Sequence, residues 1–497
     1  MIIGIDSLDP YILLQNKNVL PNFSHLIDNS PTLLSKSCFP VDSIPAWASI
    51  YTGLNPSNHN LMYSYDVFDP ELSGLAKINA ASLKGKTFWD YSSECGLRTI
   101  LLYPLLIFPS YKFNGIMINK SIYDKRIDPI KTEIEIDAYP ECIKKEYDIA
   151  NKFPSVWGGF PGESRINEWV ALAKSALEGE ASLGLNLYKL EECDIFFIYF
   201  SILDIIQHRL WRFFDQNDPQ YCRKKIGASI MDFYKTFDDI LGEFLKANPK
   251  AGIIIISDHG HKSRPIKTIN INYFLSKKGF LVSKGTKKKA QGIIRKAILE
   301  TANRFDFEPL MVRLVAANGT IAKISKSMYS SAGSIDRSRS SAYLSDFAGI
   351  KSYSYGGIQI NNESLSKDEY EHLREALIES ISEIKAHNGQ NIIQWIGKRE
   401  IMFPGKFTEK VYPDIVFELR DDYGTGWDLN SGLYGKAFDH KVSSGGHGKN
   451  ATFIMNNICE KTIKKEITLA DIAPTILDIM QIKWQDYSFD GTSILGE

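Results

Sequence analysis

The stretch Ile253–His261 (IIIISDHGH) constrains the fold most strongly. A run of isoleucines stops abruptly at Ser257, Asp258, His259 and Gly260. β-Branched side chains pack well on a pleated surface. A short run of them bounded by polar residues and glycine predicts a fully buried strand of a parallel sheet. In open α/β sheets, ligands bind just beyond the carboxyl ends of the strands. Asp258 and His259 therefore fall where chemistry is done, and a carboxylate beside an imidazole suits Zn²⁺ or Mn²⁺. A strand-end Asp also caps following helices and bonds neighbouring histidines, so this tetrapeptide alone leaves both readings open.

The same pattern recurs along the chain. Ile2–Ile5 is a short apolar run ending in Asp6, and Ile195–Phe200 is another that leads to Asp204 in ILDIIQHRLW. If that segment opens a helix, Asp204 and His208 stack on one face, close enough to share an ion; a surface Asp–His pair is the plain alternative. In CFPVDSIPAWASIYTGLNPSNHN, Pro45 fits the first turn of a helix through Tyr51. Ser43 then lies at the helix N-terminus, where the dipole favours an anion, either as a nucleophilic oxygen or simply as an N-cap. His447 sits in the glycine-rich HKVSSGGHGKN, read as a loop in which backbone can approach a ligand, or as an incidental surface turn.

Elsewhere the sequence predicts helices over Leu20–Ile27, over Arg165–Leu190 with a break near Gly179, and over Ile226–Leu245, the last covering Ile253–Ile256. Lys125–Gly162 reads as irregular, Pro413–Leu419 as a strand, and Ser366 with Glu369 as a capping box. Lys277–Lys296 is basic, the solvated face of a helix or a contact for an anionic surface, and Ser325–Ser341 reads as a linker or lid. The six cysteines are scattered without a C-x-x-C pair, which fits reduced thiols. A net charge of −1 offers no general attraction for polyanions, so specific nucleic-acid recognition is not expected. Met1 leads straight into IIGID without a basic, apolar leader; no transmembrane segment and a cytoplasmic location are expected.

Asp6, Ser43, Asp204, His208, Asp258, His259 and His447 all fall at strand ends or in adjoining loops. Carboxylates and imidazoles in this number can hold two metal ions, which clamp a phosphoryl group while a serine attacks phosphorus. The ordered motifs GID, PVDSIPAWASIYTG, LDIIQH, SDHGH, SGGHG and DIAPT with FDG resemble the alkaline phosphatase superfamily. They are most similar to its type I phosphodiesterase/nucleotide pyrophosphatase branch. The resemblance implies that Asp6, Ser43, Asp258 and His259 hold one metal and that Asp204, His208 and His447 hold the other. It also implies a phosphoseryl or nucleotidyl-seryl intermediate, which water hydrolyses from the opposite side. Two divalent ions are implied, with Zn²⁺ favoured over Mn²⁺ by the His-rich ligation. Three departures stand out: Asp6-Ser7 for the usual Asp-Gly, His59-Asn60 for His-Gly, and Ser64 near the place of a phosphoryl-binding Asn.

The expected fold is α/β, a mostly parallel central sheet flanked by helices (alkaline phosphatase-like). Residues 1–267 form the first part of the core, 268–401 a smaller inserted cap, and 402–497 the closing part with His447. The expected activity is metal-dependent hydrolysis of phosphodiester or pyrophosphate bonds in a small phosphorylated substrate, with nucleotides and nucleotide-sugars as candidates. Phosphomonoesterase, phosphonate hydrolase and phosphotransferase differ in pocket walls rather than ligands and remain alternatives. A sulfatase does not, because Trp47 stands where the formylglycine signature needs Arg. A non-catalytic binder of an anionic polymer through Lys277–Lys296 is the alternative from another class; the intact set of ligand-type residues argues against it.

Overall fold

A computed structural model of the chain describes residues 1–62, 80–121, 132–156, 160–284, 335–345, 347, 352–429, 432–437, 440–458, 466–483 and 488–495. The chain divides into two compact units. One is Met1–Met62, Ile78–Ser263 and Gly445–Glu497, and the other is Tyr63–Lys77 and Arg264–Ser444.

The first unit is built on a nine-stranded sheet. Its strands are β1 (Ile2–Ile5), β2 (Leu34–Lys36), β3 (Thr99–Leu102), β4 (Gly115–Lys120), β5 (Thr132–Tyr139), β6 (Lys152–Ser155), β7 (Ile195–Phe200) and β8 (Ile253–Ile256). A small ribbon, β9 (Gly260–Ser263) with β10 (Gly445–Gly448), stands apart, and β11 (Asn450–Asn456) completes the sheet. The spatial order is β2-β11-β8-β1-β7-β3-β4-β5-β6. The centre, from β8 through β1, β7 and β3 to β4, is parallel, and the flanking strands are antiparallel. The apolar runs at β1, β7 and β8 are buried along their whole length, as a two-sided sheet requires.

Alternation along β7 places helices on both faces. Phe197 and Tyr199 meet Trp47 of α1 (Ser43–Thr52), at centroid distances of 6.5 and 4.8 Å. Helix α2 spans Ile166–Leu190, α3 spans Ile202–Phe214, and α4 spans Ile230–Ala247. Phe196 and Phe200, on the other face of β7, meet Phe244 and Phe237 of α4 at 5.8 and 5.5 Å. α4 thus rests aromatic residues of one face on β7. Helix α2 runs unbroken past Gly179. Ala173, Leu177, Ala181, Gly184 and Leu187 keep one buried stripe across that point, which outweighs the roughly 1 kcal/mol cost of an exposed glycine.

Two further readings are corrected. The supposedly irregular Lys125–Gly162 contains β5 and β6; Ile134, Ile136 and Ala138 are buried in strict alternation with Glu133, Glu135 and Asp137, a period-two signal. The supposed loop at His447 is strand β10, paired antiparallel with β9. Most of the basic segment (285–296), most of the Ser-rich one (325–334), and Ser64 lie outside the described residues.

The second unit has its own core, in which Ile358, Leu377, Ile381, Ile415 and Phe417 are buried together. Its main sheet is antiparallel, in the order Ala342–Leu344, Tyr355–Ile360, Ile415–Leu419, Ile393–Lys398. Ile415–Leu419 is bonded on both sides, so the inserted part continues past Ile401, where the sequence placed its end. Ser366 and Glu369 form the expected capping box of helix Lys367–Ser382. Five cysteines, Cys38, Cys95, Cys142, Cys193 and Cys222, are free thiols. Among the described residues, no helix is long and apolar enough to cross a membrane.

Candidate active site

Three adjacent parallel strands deliver the polar residues. β8, β1 and β7 lie side by side with Gly4 level with Ile256 and Tyr199. Asp258 and His259, Asp6, and the start of α3 therefore emerge together at the carboxyl ends. α3 carries Asp204 in its first turn and His208 one turn later. Pairing of β9 with β10 sets His447 opposite His261 and brings it to the same point. α1 begins at Ser43, while the Asp42 carboxylate accepts from the Ile44 N–H at 3.2 Å. Asp42 is thus the cap, which sets aside the N-cap reading of Ser43. A Cβ at Gly4 would stand 2.7 Å from Trp47 Cη2, so the missing side chain is what lets α1 rest on β1 and bring Ser43 to Asp6.

The donor atoms gather in two sets. Ser43 Oγ is 3.3 Å from Asp6 Oδ1 and 3.2 Å from His259 Nε2. His259 Nε2 is 3.6 Å from Asp6 Oδ1 and 3.2 Å from Asp258 Oδ2. In the second set, His208 Nε2 is 3.3 Å from Asp204 Oδ1 and 3.0 Å from His447 Nε2. His447 Nε2 is 3.8 Å from Asp204 Oδ1. His259 adjoins both sets, its ring stacked on that of His447 with centroids 4.0 Å apart. All seven residues picked out from the sequence are brought together.

Each of these imidazoles is tethered at its outer nitrogen. Nδ1 of His208, His259 and His447 meets the carbonyls of Gly445, Gly260 and Val41 at 2.7, 2.9 and 2.7 Å. A carbonyl only accepts, so Nδ1 carries a proton, and in the neutral form the ring turns its Nε2 lone pair inward. Two such lone pairs 3.0 Å apart repel. Asp204 Oδ1 and Asp258 Oδ2 are buried acceptors with no hydrogen bond among the described residues. Burial pushes the Asp6 carboxyl well above its usual range, and the nearby charges of Asp258 and Asp204 add to it. Burial, with Asp204 nearby, pushes Asp258 up to about 7. Converging lone pairs and crowded, orphaned carboxylates are what a divalent cation satisfies, so the donor sets fit one.

Sequence reasoning missed the groups behind these donors. Asp6 Oδ2 accepts from the Tyr199 hydroxyl, and from Trp47 Nε1 at 3.3 Å, leaving Oδ1 to face Ser43. Trp47 lies one turn after Ser43 on α1, and its ring packs on Tyr199; only the alternation of β7 hinted at the latter. Tyr199→Phe keeps the packing and frees one oxygen of Asp6. It is expected to weaken Zn²⁺ binding at the Ser43 set by about ten- to a hundredfold, measured by chelator competition, with little change in melting temperature. Two of the motif departures also have a local cause. Ser7 and Asn60 both adopt left-handed backbone, each with φ of 62°, where glycine would be unstrained.

The family model for type I phosphodiesterase / nucleotide pyrophosphatase matches residues 1–426. A search of curated proteins finds no match. Phosphonoacetate hydrolase from Sinorhizobium meliloti 1021, solved with phosphonoformate and with phosphonoacetate, is similar in fold. Each of these structures superposes with a TM-score of 0.55 at 14% identity, over 95% of this chain and 93% of that one. With most of its length matched by the family model, the chain belongs to the type I phosphodiesterase/nucleotide pyrophosphatase family, a branch of the alkaline phosphatase superfamily.

Proposed function

We propose that the protein hydrolyses phosphodiester or pyrophosphate bonds of a small phosphorylated substrate, with Ser43 as the nucleophile and two divalent cations as cofactors. The observation that carries this reading is the convergence of Ser43 Oγ, Asp6 Oδ1 and His259 Nε2 within 3.6 Å, beside a second set of three donors. Asp6, Ser43, Asp258 and His259 would hold one cation, and Asp204, His208 and His447 the other. The His-rich second set favours Zn²⁺ over Mn²⁺. Cations there neutralise phosphoryl charge and lower the pKa of bound hydroxyls.

The chain's own groups account for the remaining requirements. α1 aims its positive end at the phosphoryl group and holds the Ser43 hydroxyl in line for attack. The Ser43 hydroxyl gives up its proton to solvent as the Oγ–P bond forms and the bond from phosphorus to the leaving oxygen breaks, and the leaving group departs with its electron pair. Water then attacks phosphorus from the opposite side, the Oγ–P bond breaks, and a proton from that water restores the Ser43 hydroxyl. Throughout, the Nδ1–H bonds hold the three imidazoles with Nε2 turned toward the donor sets.

The test is a substrate panel on protein loaded with Zn²⁺ or Mn²⁺: bis-p-nitrophenyl phosphate, p-nitrophenyl phosphate and phosphonoacetate. Diester turnover is expected to exceed the other two and to vanish when a chelator strips the metal. Preference for the monoester or the phosphonate would move the assignment to a phosphatase or phosphonate hydrolase on the same metal sets.

A further inference from the structure

Ser7 stands where the backbone favours glycine, and its hydroxyl is not idle. At φ of 62° a residue with a Cβ is strained. The Ser7 main chain has two partners of its own. Its N–H donates to Asp258 Oδ1 at 3.0 Å, and its carbonyl accepts from Gln207 Nε2 of α3 at 2.8 Å. Glycine would make both bonds without strain. What serine adds is the hydroxyl, which lies 2.8 Å from His261 Nδ1 and 3.3 Å from the Gly260 carbonyl.

His261 is buried directly behind the second donor set. Its Nδ1 is 3.8 Å from Asp204 Oδ1, and its ring meets those of His208 and Trp211 at 5.0 and 4.9 Å. It fills the space left by the absent side chain of Gly445, where a Cβ would stand 2.2 Å from His261 Nε2. The Gly445 carbonyl is the group that holds His208 Nδ1. A shift of the His261 ring is therefore felt both by Asp204 and, through Gly445, by His208.

We propose that the Ser7 hydroxyl and His261 are a positioning pair that sets the geometry of the Asp204–His208–His447 metal site, retained in spite of strain at Ser7. This rests on the two-cation reading above. The bonding also assigns the proton of the His261 ring. His261 Nε2 has no hydrogen-bond partner among the described residues, and a buried N–H without an acceptor is costly. The proton therefore sits on Nδ1, giving the chain His261 N–H to Ser7 Oγ and Ser7 O–H to the Gly260 carbonyl.

Ser7→Gly removes the hydroxyl and the strain together, whereas Ser7→Ala removes the hydroxyl and keeps the strain. Calorimetric Zn²⁺ titration of the full-length wild-type protein is expected to show two sites. In both variants one site weakens by about tenfold or more and the other is unchanged. The melting temperature of metal-free Ser7→Gly stays at or above that of Ser7→Ala, so affinity does not follow stability. Wild-type affinity at both sites in Ser7→Gly, or equal weakening of both, would overturn the positioning pair. A wild-type protein without two Zn²⁺ sites would instead overturn the two-cation reading on which the pair depends.

Discussion

Alanine at Ser43 is expected to reduce diester turnover by about a thousandfold or more, a loss of roughly 4 kcal/mol or more in transition-state stabilisation. Ser43 Oγ is the one donor of the first set that carries a transferable hydroxyl; Asp6, Asp258 and His259 remain to hold a cation without it. The variant should thus keep both Zn²⁺ equivalents, measured by elemental analysis after desalting. It should also keep its stability, because Asp42 and not Ser43 caps α1. Loss of turnover with metal retained separates a nucleophile from a structural ligand. Loss of metal together with turnover would make Ser43 chiefly a ligand, and retained turnover would remove it from the chemistry altogether.

The second large effect concerns the metal-free protein and pH. Asp258 is pushed up to about 7 by burial first and by Asp204 second, and Asp6 is raised in the same direction. A carboxyl whose folded pKa is raised binds its proton more tightly in the folded chain than in the unfolded one. Its contribution therefore falls as pH rises from the unfolded value near 4 to the folded value near 7, and levels off above. For Asp258 alone, that window corresponds to about 4 kcal/mol. Metal-free protein should consequently lose stability between pH 5 and pH 8 relative to metal-free Asp258→Asn, whose amide does not titrate. Zn²⁺ added at pH 8 should restore the wild-type protein and act less on the variant. Denaturant melts of both proteins at the two pH values measure the difference. Parallel curves with no pH-dependent gap would mean that these carboxylates do not crowd one another as described.

The parts of this site legible in the sequence are those written in local pattern. Asp6, Asp204 and Asp258 follow apolar runs too short and too β-branched to be helices, so their placement at strand ends followed from period and punctuation. The Asp204–His208 spacing declared its shared helix face for the same reason. What was not legible depends on pairing between segments far apart in the chain. His447 looked like a loop residue because its glycines carry no strand signal; only β9, far earlier in sequence, makes it a strand. The tethers from Nδ1 of the imidazoles to main-chain carbonyls come from tertiary register and leave no trace in composition. Ser7 was visible as a departure from a motif, but its meaning required φ and the position of His261. Strand β5 was legible, since the alternation of Ile134, Ile136 and Ala138 is in plain view, whereas β6 (KFPS) carries no such signal and forms by pairing with it.

The central claim is that Ser43 Oγ bonds to phosphorus during turnover. Its most direct test is mass spectrometry of peptides from metal-loaded protein acid-quenched during turnover of bis-p-nitrophenyl phosphate. An added p-nitrophenyl phosphoryl group on the peptide containing Ser43, absent from Ser43→Ala, is the predicted result. A modification on another residue, or rapid turnover with Ser43 never modified, would contradict it.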